Sequence, residues 1–491
     1  EDKLFTFDPL AMRWSWSLEA VAQHRYADNV ADLMIHRLGR LPAAQREILR
    51  VAGAAGGRFD PPLLAKLVTI DHDRLGEHLS ALLDAGFLAA SQHGLSFSHD
   101  RVEEAAYLLT AAPERAAQHA QIARVMKYVW RNALADAVFE NANQVQRAEK
   151  SVFSTEECEA YLILLMEAAR RARDSASYEQ AAGYLNAGEE LLQTCGSPAV
   201  DYRHAFSLAC MAAEGDMLLS RMSQAQQRIG ECRKRARSPL DQAIACKLRA
   251  RFKTLHSDYD AAINDALEGL RLLGIELGRG SDALQVEAQL RSIQALIEQR
   301  GRRCLEALPK AESETVIVAI GLLATLSCSF FIDDDIRYLH LAKILELTLA
   351  HGVAPGSTYG LAWFGVMAAE RFGAYHDGHA YCLAALKLIE RYGFEVDLTS
   401  TLLALDQVSA WTASMDFARR TAQQAIDSGR LSGDLAMACY ACNHLVSDSL
   451  VMGQHLHSVA EEIQHGLATV RQYGYRDIEQ ILLAQQAFVS A

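Results

Sequence analysis

Proline is scarce in this sequence, nine in 491 residues, against an average usage of about 5%. A chain so poor in proline and rich in Ala, Leu, Glu and Arg favours helix over sheet. Positive charge is also in deficit: 48 Lys plus Arg against 61 Asp plus Glu, a net of −13. That balance argues against a nucleic-acid-binding surface over most of the chain. No uncharged run is long enough for a membrane span. The best candidate is Val316 to Ile332, with Gly321, Thr325, Ser327 and Ser329 inside it. A span needs about 20 strongly apolar residues, so a buried helix is expected there. The sequence opens at Glu1 with no charged stretch ahead of an apolar run, so there is no secretory signal to read. The expectation is an excerpt of a longer, cytoplasmic protein.

Enzyme signatures are missing as well. There is no G-x-x-x-x-G-K-[ST] phosphate loop, no G-x-G-x-x-G after a strand, no H-E-x-x-H and no G-x-S-x-G elbow. No catalytic residue and no metal site is expected. Ten cysteines are scattered, mostly inside helical patterns, and a chain this long needs no staples, so free thiols are expected. Cys439-Tyr440-Ala441-Cys442, with His444 after it, lacks a fourth zinc ligand and reads as packed core. His376 and His379 lie at a turn between helices, where polar residues are ordinary. Asp333-Asp334-Asp335 suits the start of a helix. Arg233-Lys234-Arg235-Ala236-Arg237 suits a helix end.

What is present is helical period. Residues 1–25 read as an irregular connector that docks through Phe5, Phe7, Trp14 and Trp16. From Asn29 the stripe Val30, Leu33, Met34, Leu38 makes a helix stopped by Gly39. Helices follow at Ala43–Ala55, from Pro61-Pro62, and from Asp71 to Ala85-Gly86. Phe87 to Ala90 and Leu95 to Ser98 then read as a hairpin, followed by a helix from about His99 to Thr110. Helices followed by a hairpin describe a winged-helix domain over residues 26–112. That stretch carries 8 basic and 11 acidic side chains, not the basic stripe that phosphate contacts need. Direct DNA binding is therefore not expected.

Beyond it, a bulky residue at a turn followed by an amphipathic helix recurs at Tyr178, Met222, Tyr259, Ile336, Tyr375, Met415 and His455. The spacings are 44, 37, 77, 39, 40 and 40, the 77 hiding a divergent unit near residues 283–310. Such periods mean stacked helix pairs, since one pair cannot bury both its apolar faces. The fold class is mainly α: a small winged-helix domain, then a tetratricopeptide-like α-solenoid of seven or eight pairs over residues 113–491.

Several segments stand out: Phe97-Ser98-His99-Asp100-Arg101-Val102-Glu103-Glu104-Ala105-Ala106-Tyr107, Trp14-x-Trp16, Asp28-Asn29-Val30-x-Asp32-Leu33-Met34 and Leu41-Pro42. Tyr259-Asp260-Ala261-Ala262 with Leu273-Gly274-Ile275, and His351-Gly352 with Ser357, Tyr359 and Gly360, add to them. Together they resemble a bacterial family of hybrid signalling proteins built around an AAA/STAND-type ATPase. Many members place a serine/threonine-kinase-like domain before the ATPase and GAF and histidine-kinase domains after the repeats. The resemblance implies an ATPase domain upstream in cis, with ATP or ADP bound there and no cofactor in this stretch. It implies that His99, with Asp100, senses the nucleotide state, His99 donating a hydrogen bond to a phosphate. It implies that the solenoid takes a protein or small-molecule effector, for which Tyr338, Trp363 and Arg371 are candidate contacts. The sensor region of a STAND-type transcription activator, or a plain protein-binding scaffold, are the alternatives.

Overall fold

A computed structural model describes residues 5–8, 13–16, 30–56, 58–59, 61–91, 94–129, 137–196, 201–278, 283–301 and 303–491. Two compact units divide the chain: Glu1–Ala169 with Gly183–His204, and Arg170–Ala182 with Ala205–Ala491.

The first unit opens with two antiparallel strands, β1 (Phe5–Asp8) and β2 (Arg13–Trp16), Phe5 opposite Trp16. This corrects the expectation of an irregular connector. Phe-Thr-Phe and Trp-Ser-Trp alternate with period two, the pattern of a strand. How these aromatic side chains dock lies outside the described residues. Helices α1 (Val30–Gly39), α2 (Ala43–Ala55), α3 (Pro61–Leu67) and α4 (His72–Asp84) then stand where the apolar period puts them. Three short strands follow the order β3-β5-β4, all antiparallel: β3 (Arg58–Phe59), β4 (Leu88–Ser91) and β5 (Gly94–Phe97). The hairpin β4–β5 was legible, although its turn at Gln92-His93 lies outside the described residues. Two-residue β3 has no period to read. Helix α5 (Asp100–Leu108) leaves the sheet.

Leu38, Ile48, Leu49, Leu63, Leu64, Leu82 and Val102 form this unit's core, and Phe59 meets Phe97 edge-on at 5.7 Å. Ile122 and Met126 belong to the same core. They come from α6 (Ala112–Val129), which precedes α7 (Val138–Arg147). The expected domain boundary at residue 112 thus falls inside a compact unit. Helices α8 (Thr155–Asp174) and α9 (Tyr178–Cys195) run across the division between units. Their hairpin sets the first turn of one beside the last turn of the other, and Cys158 and Cys195 are disulfide-bonded with Cα atoms 6.5 Å apart. That corrects the expectation of ten free thiols; the other eight are free.

The second unit is helical. Its pairs are α10 (Tyr202–Leu218) with α11 (Met222–Arg235), and α12 (Pro239–Leu255) with α13 (Tyr259–Leu272). A stunted pair follows, α14 (Ala283–Arg300) and the four-residue α15 (Arg303–Glu306). This is the divergent unit inside the 77-residue gap. Next come α16 (Glu314–Thr325) with α17 (Asp334–His351), α18 (Ser357–Phe372) with α19 (Tyr375–Tyr392), and α20 (Leu398–Thr412) with α21 (Met415–Ser432). The last pair is α22 (Leu435–Val451) with α23 (Leu456–Tyr473), and α24 (Arg476–Ser490) ends the chain. Met222, Tyr259, Tyr375 and Met415 are the first residues of second helices, so the sequence period marks the corner of each pair.

Small residues allow the close stacking. A Cβ at Gly365 would meet the Gly378 carbonyl oxygen at 2.6 Å, and one at Gly378 would meet that of Gly365 at 2.4 Å. Only hydrogen fits where α18 crosses α19. The uncharged stretch from Val316 is α16 and a 3₁₀ turn, Leu326–Phe331, with Val318, Ile320, Leu322 and Leu323 buried. Among the described residues no helix is long and apolar enough to cross a membrane. Asp333 caps α17, its carboxylate accepting from the Ile336 N–H at 3.0 Å, as the acidic run suggested.

Candidate functional site

His99 is the N-cap of α5, in extended backbone where the chain leaves β5. Its Nδ1 accepts the Arg101 backbone N–H at 3.1 Å. A neutral imidazole that accepts at Nδ1 carries its proton on Nε2, so the exposed edge of this ring is a donor. Asp100, exposed in the first turn, suits the positive end of the helix dipole. Arg101 pairs with Glu104 at 2.7 Å.

Eight residues on from His99, Tyr107 starts a buried polar chain that the sequence reading missed. Its hydroxyl lies 3.0 Å from His119 Nε2, and His119 Nδ1 lies 2.7 Å from Gln144 Oε1. Gln144 Nε2 donates to the Ala54 and Ala55 carbonyls at 3.0 and 3.1 Å. An amide oxygen can only accept, so His119 donates from Nδ1 and takes the tyrosine proton at Nε2. Burial pushes the His119 pKa down, against the Gln144 bond, which raises it. Gln144 meets the orphan carbonyls at the end of α2. The chain ties α2, α5, α6 and α7 together, and Gln118 adds a bond to the Arg50 carbonyl at 3.3 Å.

In the solenoid the structure brings two of the candidate effector contacts, Tyr338 and Arg371, together. Tyr338 is only 4% exposed. Its ring lies under the guanidinium groups of Arg337 at 4.5 Å and Arg371 at 5.1 Å, and its hydroxyl donates to Glu370 at 3.2 Å. Tyr338 stands on the buried stripe of α17 with Leu341, Ala342 and Leu345. Of the three candidates Arg371 is exposed. Trp363 is half-buried beside Phe330, 4.8 Å between ring centres, and its indole N–H donates to the Ser400 carbonyl at 3.1 Å. Behind it His340 is fully buried. It donates to the Ile336 carbonyl at 2.7 Å and accepts from the Tyr359 hydroxyl at 2.9 Å, and burial takes its pKa down to about 4.

His379 is engaged with Thr412 Oγ1 at 2.8 Å, while His376 is exposed. Cys439 and Cys442 are both buried in α22 but pack into different clusters, one with Val446 and Ile463, the other with Ala422 and Leu445. Burial raises their thiols to about 12 and about 11. Among the described residues no group of three His, Cys, Asp or Glu side chains is arranged to hold a metal ion. Arg233, Lys234 and Arg235 fill the last turn of α11, where cations suit the dipole.

Buried carboxylates also went unread, Asp397, Asp406 and Asp448 among them. Asp397 Oδ2 accepts the Gly356 N–H at 2.7 Å and the Thr358 hydroxyl at 2.6 Å, capping α18 from a distant segment. Asp406 on α20 and Asp448 on α22 meet side chain to side chain, 1% and 7% exposed. His444 Nδ1 stands 3.1 Å from Asp406. Burial first, and Asp406 second, push Asp448 up to about 8.

No protein-family model matches the sequence. Hybrid signal transduction histidine kinase G from Dictyostelium discoideum is 18% identical over 572 aligned positions, which take in all of this chain and 17% of that protein. The chain therefore spans about a sixth of that relative's length. Among solved structures, a Signal Transduction ATPase with Numerous Domains (STAND) protein with a tetratricopeptide repeat sensor, from Pyrococcus horikoshii, covers 94% of this chain and 68% of its own. It does so at 12% identity and a TM-score of 0.36, a likeness too loose to carry an argument.

Proposed function

We propose that this chain is the regulatory sensor region of a larger ATP-dependent signalling protein. Residues 26–112 act as a winged-helix module, and residues 113–491 as a tetratricopeptide-like solenoid that takes a protein or small-molecule effector. The effector prefers one of two packings of the solenoid and so biases an ATPase upstream, or an attached kinase. The observation that carries this reading is the end-to-end match of the chain to one stretch of a hybrid signal transduction histidine kinase. The helix pairs support it, because stacked pairs offer an extended curved surface.

His99 is the nucleotide-facing residue of this reading. Its Nδ1 is committed to the Arg101 backbone N–H, which orients an Nε2–H donor outward. A donor of that kind suits a phosphate oxygen of ADP. Asp100 holds the helix start on which the ring sits. Calorimetry of ADP and ATP binding to the parent protein, with and without His99→Ala, tests this. The expected result is ADP binding weakened by roughly 10- to 100-fold, the value of one hydrogen bond to a charged group, and ATP binding weakened less. Undiminished binding would make His99 a helix cap and nothing more.

A further inference from the structure

Contacts between residues more than 200 positions apart run along one edge of the solenoid. The Tyr178 hydroxyl donates to the Leu431 carbonyl at 3.1 Å. The Tyr259 hydroxyl donates to Asp477 Oδ2 at 2.7 Å. Between them lies Gly433, where a Cβ would sit 2.8 Å from the Tyr178 hydroxyl and 3.0 Å from Leu218 Cδ2. Its φ of +78° is a second reason for glycine there.

The positions are not scattered. Tyr178 and Tyr259 open the second helices of their pairs, and Leu218 closes a first helix just before another such corner. Three consecutive corners are thus engaged. Their partners lie at the opposite kind of corner, where a second helix ends and the next pair begins: Leu431 in the last turn of α21, Gly433 just after it, and Asp477 just after α23. Behind this line the Arg251 charge acts on buried Asp434, and Tyr440 lies among Tyr259, Tyr475 and Asp477.

Helix pairs in a solenoid ordinarily contact only their neighbours. Here the last pairs return onto the first. We propose that Tyr178, Leu218 and Tyr259 with Leu431, Gly433 and Asp477 form a clasp that holds the solenoid in a closed turn, and that its opening is the movement an effector drives. The clasp has what a switch requires. Its two hydrogen bonds are each worth little alone, so a ligand with modest preference for the open turn can break them. The cores on either side of it are built from neighbouring pairs, one running from Ala243 to Val408 and another from Cys439 to Leu482. The coupling to an effector rests on the sensor reading; the clasp itself does not.

Hydrogen exchange of the chain, read by mass spectrometry, tests the clasp without any effector. The variants are Tyr259→Phe, Asp477→Asn and Tyr178→Phe, with small-angle scattering on the same samples. The two Tyr→Phe changes remove the hydroxyl donor, and Asp477→Asn exchanges the charged acceptor for a weaker neutral one, each keeping the side chain's shape. Exchange in α21 to α24 is expected to quicken by about fivefold per lost bond, with a larger radius of gyration in the triple variant. The α14, α16 and α17 helices should exchange at their original rate. The Tyr259→Phe and Asp477→Asn effects should not add, because they act on the same bond. Unchanged exchange in α21 to α24, or an equal rise in every helix, would overturn the proposal. Either result would leave the sensor reading standing.

Discussion

Replacing Asp448 by Asn should make the solenoid more stable, and more so as pH rises. Asp448 is buried against Asp406, with Arg419 as its attracting charge and His444 on the far side of Asp406. Arg419 itself is shared with Glu462 and Ser449. A carboxyl held at about 8 in the folded chain and near its ordinary value unfolded favours folding most when both states are protonated. That contribution is intact below about pH 4 and is lost as pH climbs through about 8. Each pH unit in that window is worth about 1.4 kcal/mol, which sets a ceiling near 6 kcal/mol. Hydration and relaxation around the pair bring the expected figure to roughly 2–4 kcal/mol. Asn has nearly the shape of Asp and no charge to bury. Denaturant unfolding of both proteins from pH 4 to 9 measures the difference directly, and titrations remote from the Asp406–Asp448 pair cancel in it. The stability gained by Asp448→Asn should be small at pH 4, grow through neutrality and level off above pH 8. A gain that is flat with pH, or one that grows toward acid, would refute the reasoning.

Four further outcomes follow from the geometry. Gln144→Leu should cost about 2–4 kcal/mol, because it strands His119 and two α2 carbonyls without partners; thermal unfolding measures it, and loss of protection should centre on α2 and α5. Gly365→Ala should cost roughly 1–3 kcal/mol by forcing α18 off the Gly378 backbone, again read by unfolding. Asp397→Ala should cost about 2–4 kcal/mol and loosen the start of α18, since the Gly356 N–H and Thr358 hydroxyl lose their acceptor; hydrogen exchange across Gly356–Leu361 reports it. Peptide mapping without reductant should recover Cys158 joined to Cys195, and reduction should lower stability by about 3–4 kcal/mol, the loop-closure value for a 37-residue separation.

Residues that act on their chain neighbours were the legible ones. The stripe from Val30, the proline pair at α3 and the corner residues Tyr259, Tyr375 and Met415 all carry their signal within one or two helical turns. The helix start at His99 could be read for the same reason, although only the structure commits its Nδ1 to Arg101. The strands β1 and β2 were passed over because four-residue alternation is short beside the helical signal around it. Tyr338 was a candidate contact from its place on a repeat helix, whereas its ring is buried beside the Arg337 and Arg371 guanidinium groups. His119 and Gln144 are single polar residues on two different helices, and nothing local distinguishes a buried relay from a solvated face. Asp406 and Asp448 stand on different helices, and Tyr259 and Asp477 are 218 positions apart. Such pairs exist only once the repeats have stacked.

The central proposal is that the solenoid regulates an ATPase in the same protein, and the most direct measurement is ATP turnover by the proposed parent protein. It should be compared with residues 205–491 present and deleted, at equal concentration. Coupling between a sensor and its target is typically about 1–3 kcal/mol, so turnover should change by about 5- to 150-fold. Tyr259→Phe with Asp477→Asn should move it part of the way in the same direction. Turnover that stays the same with the solenoid removed would contradict the account and leave a helical array that only holds partners.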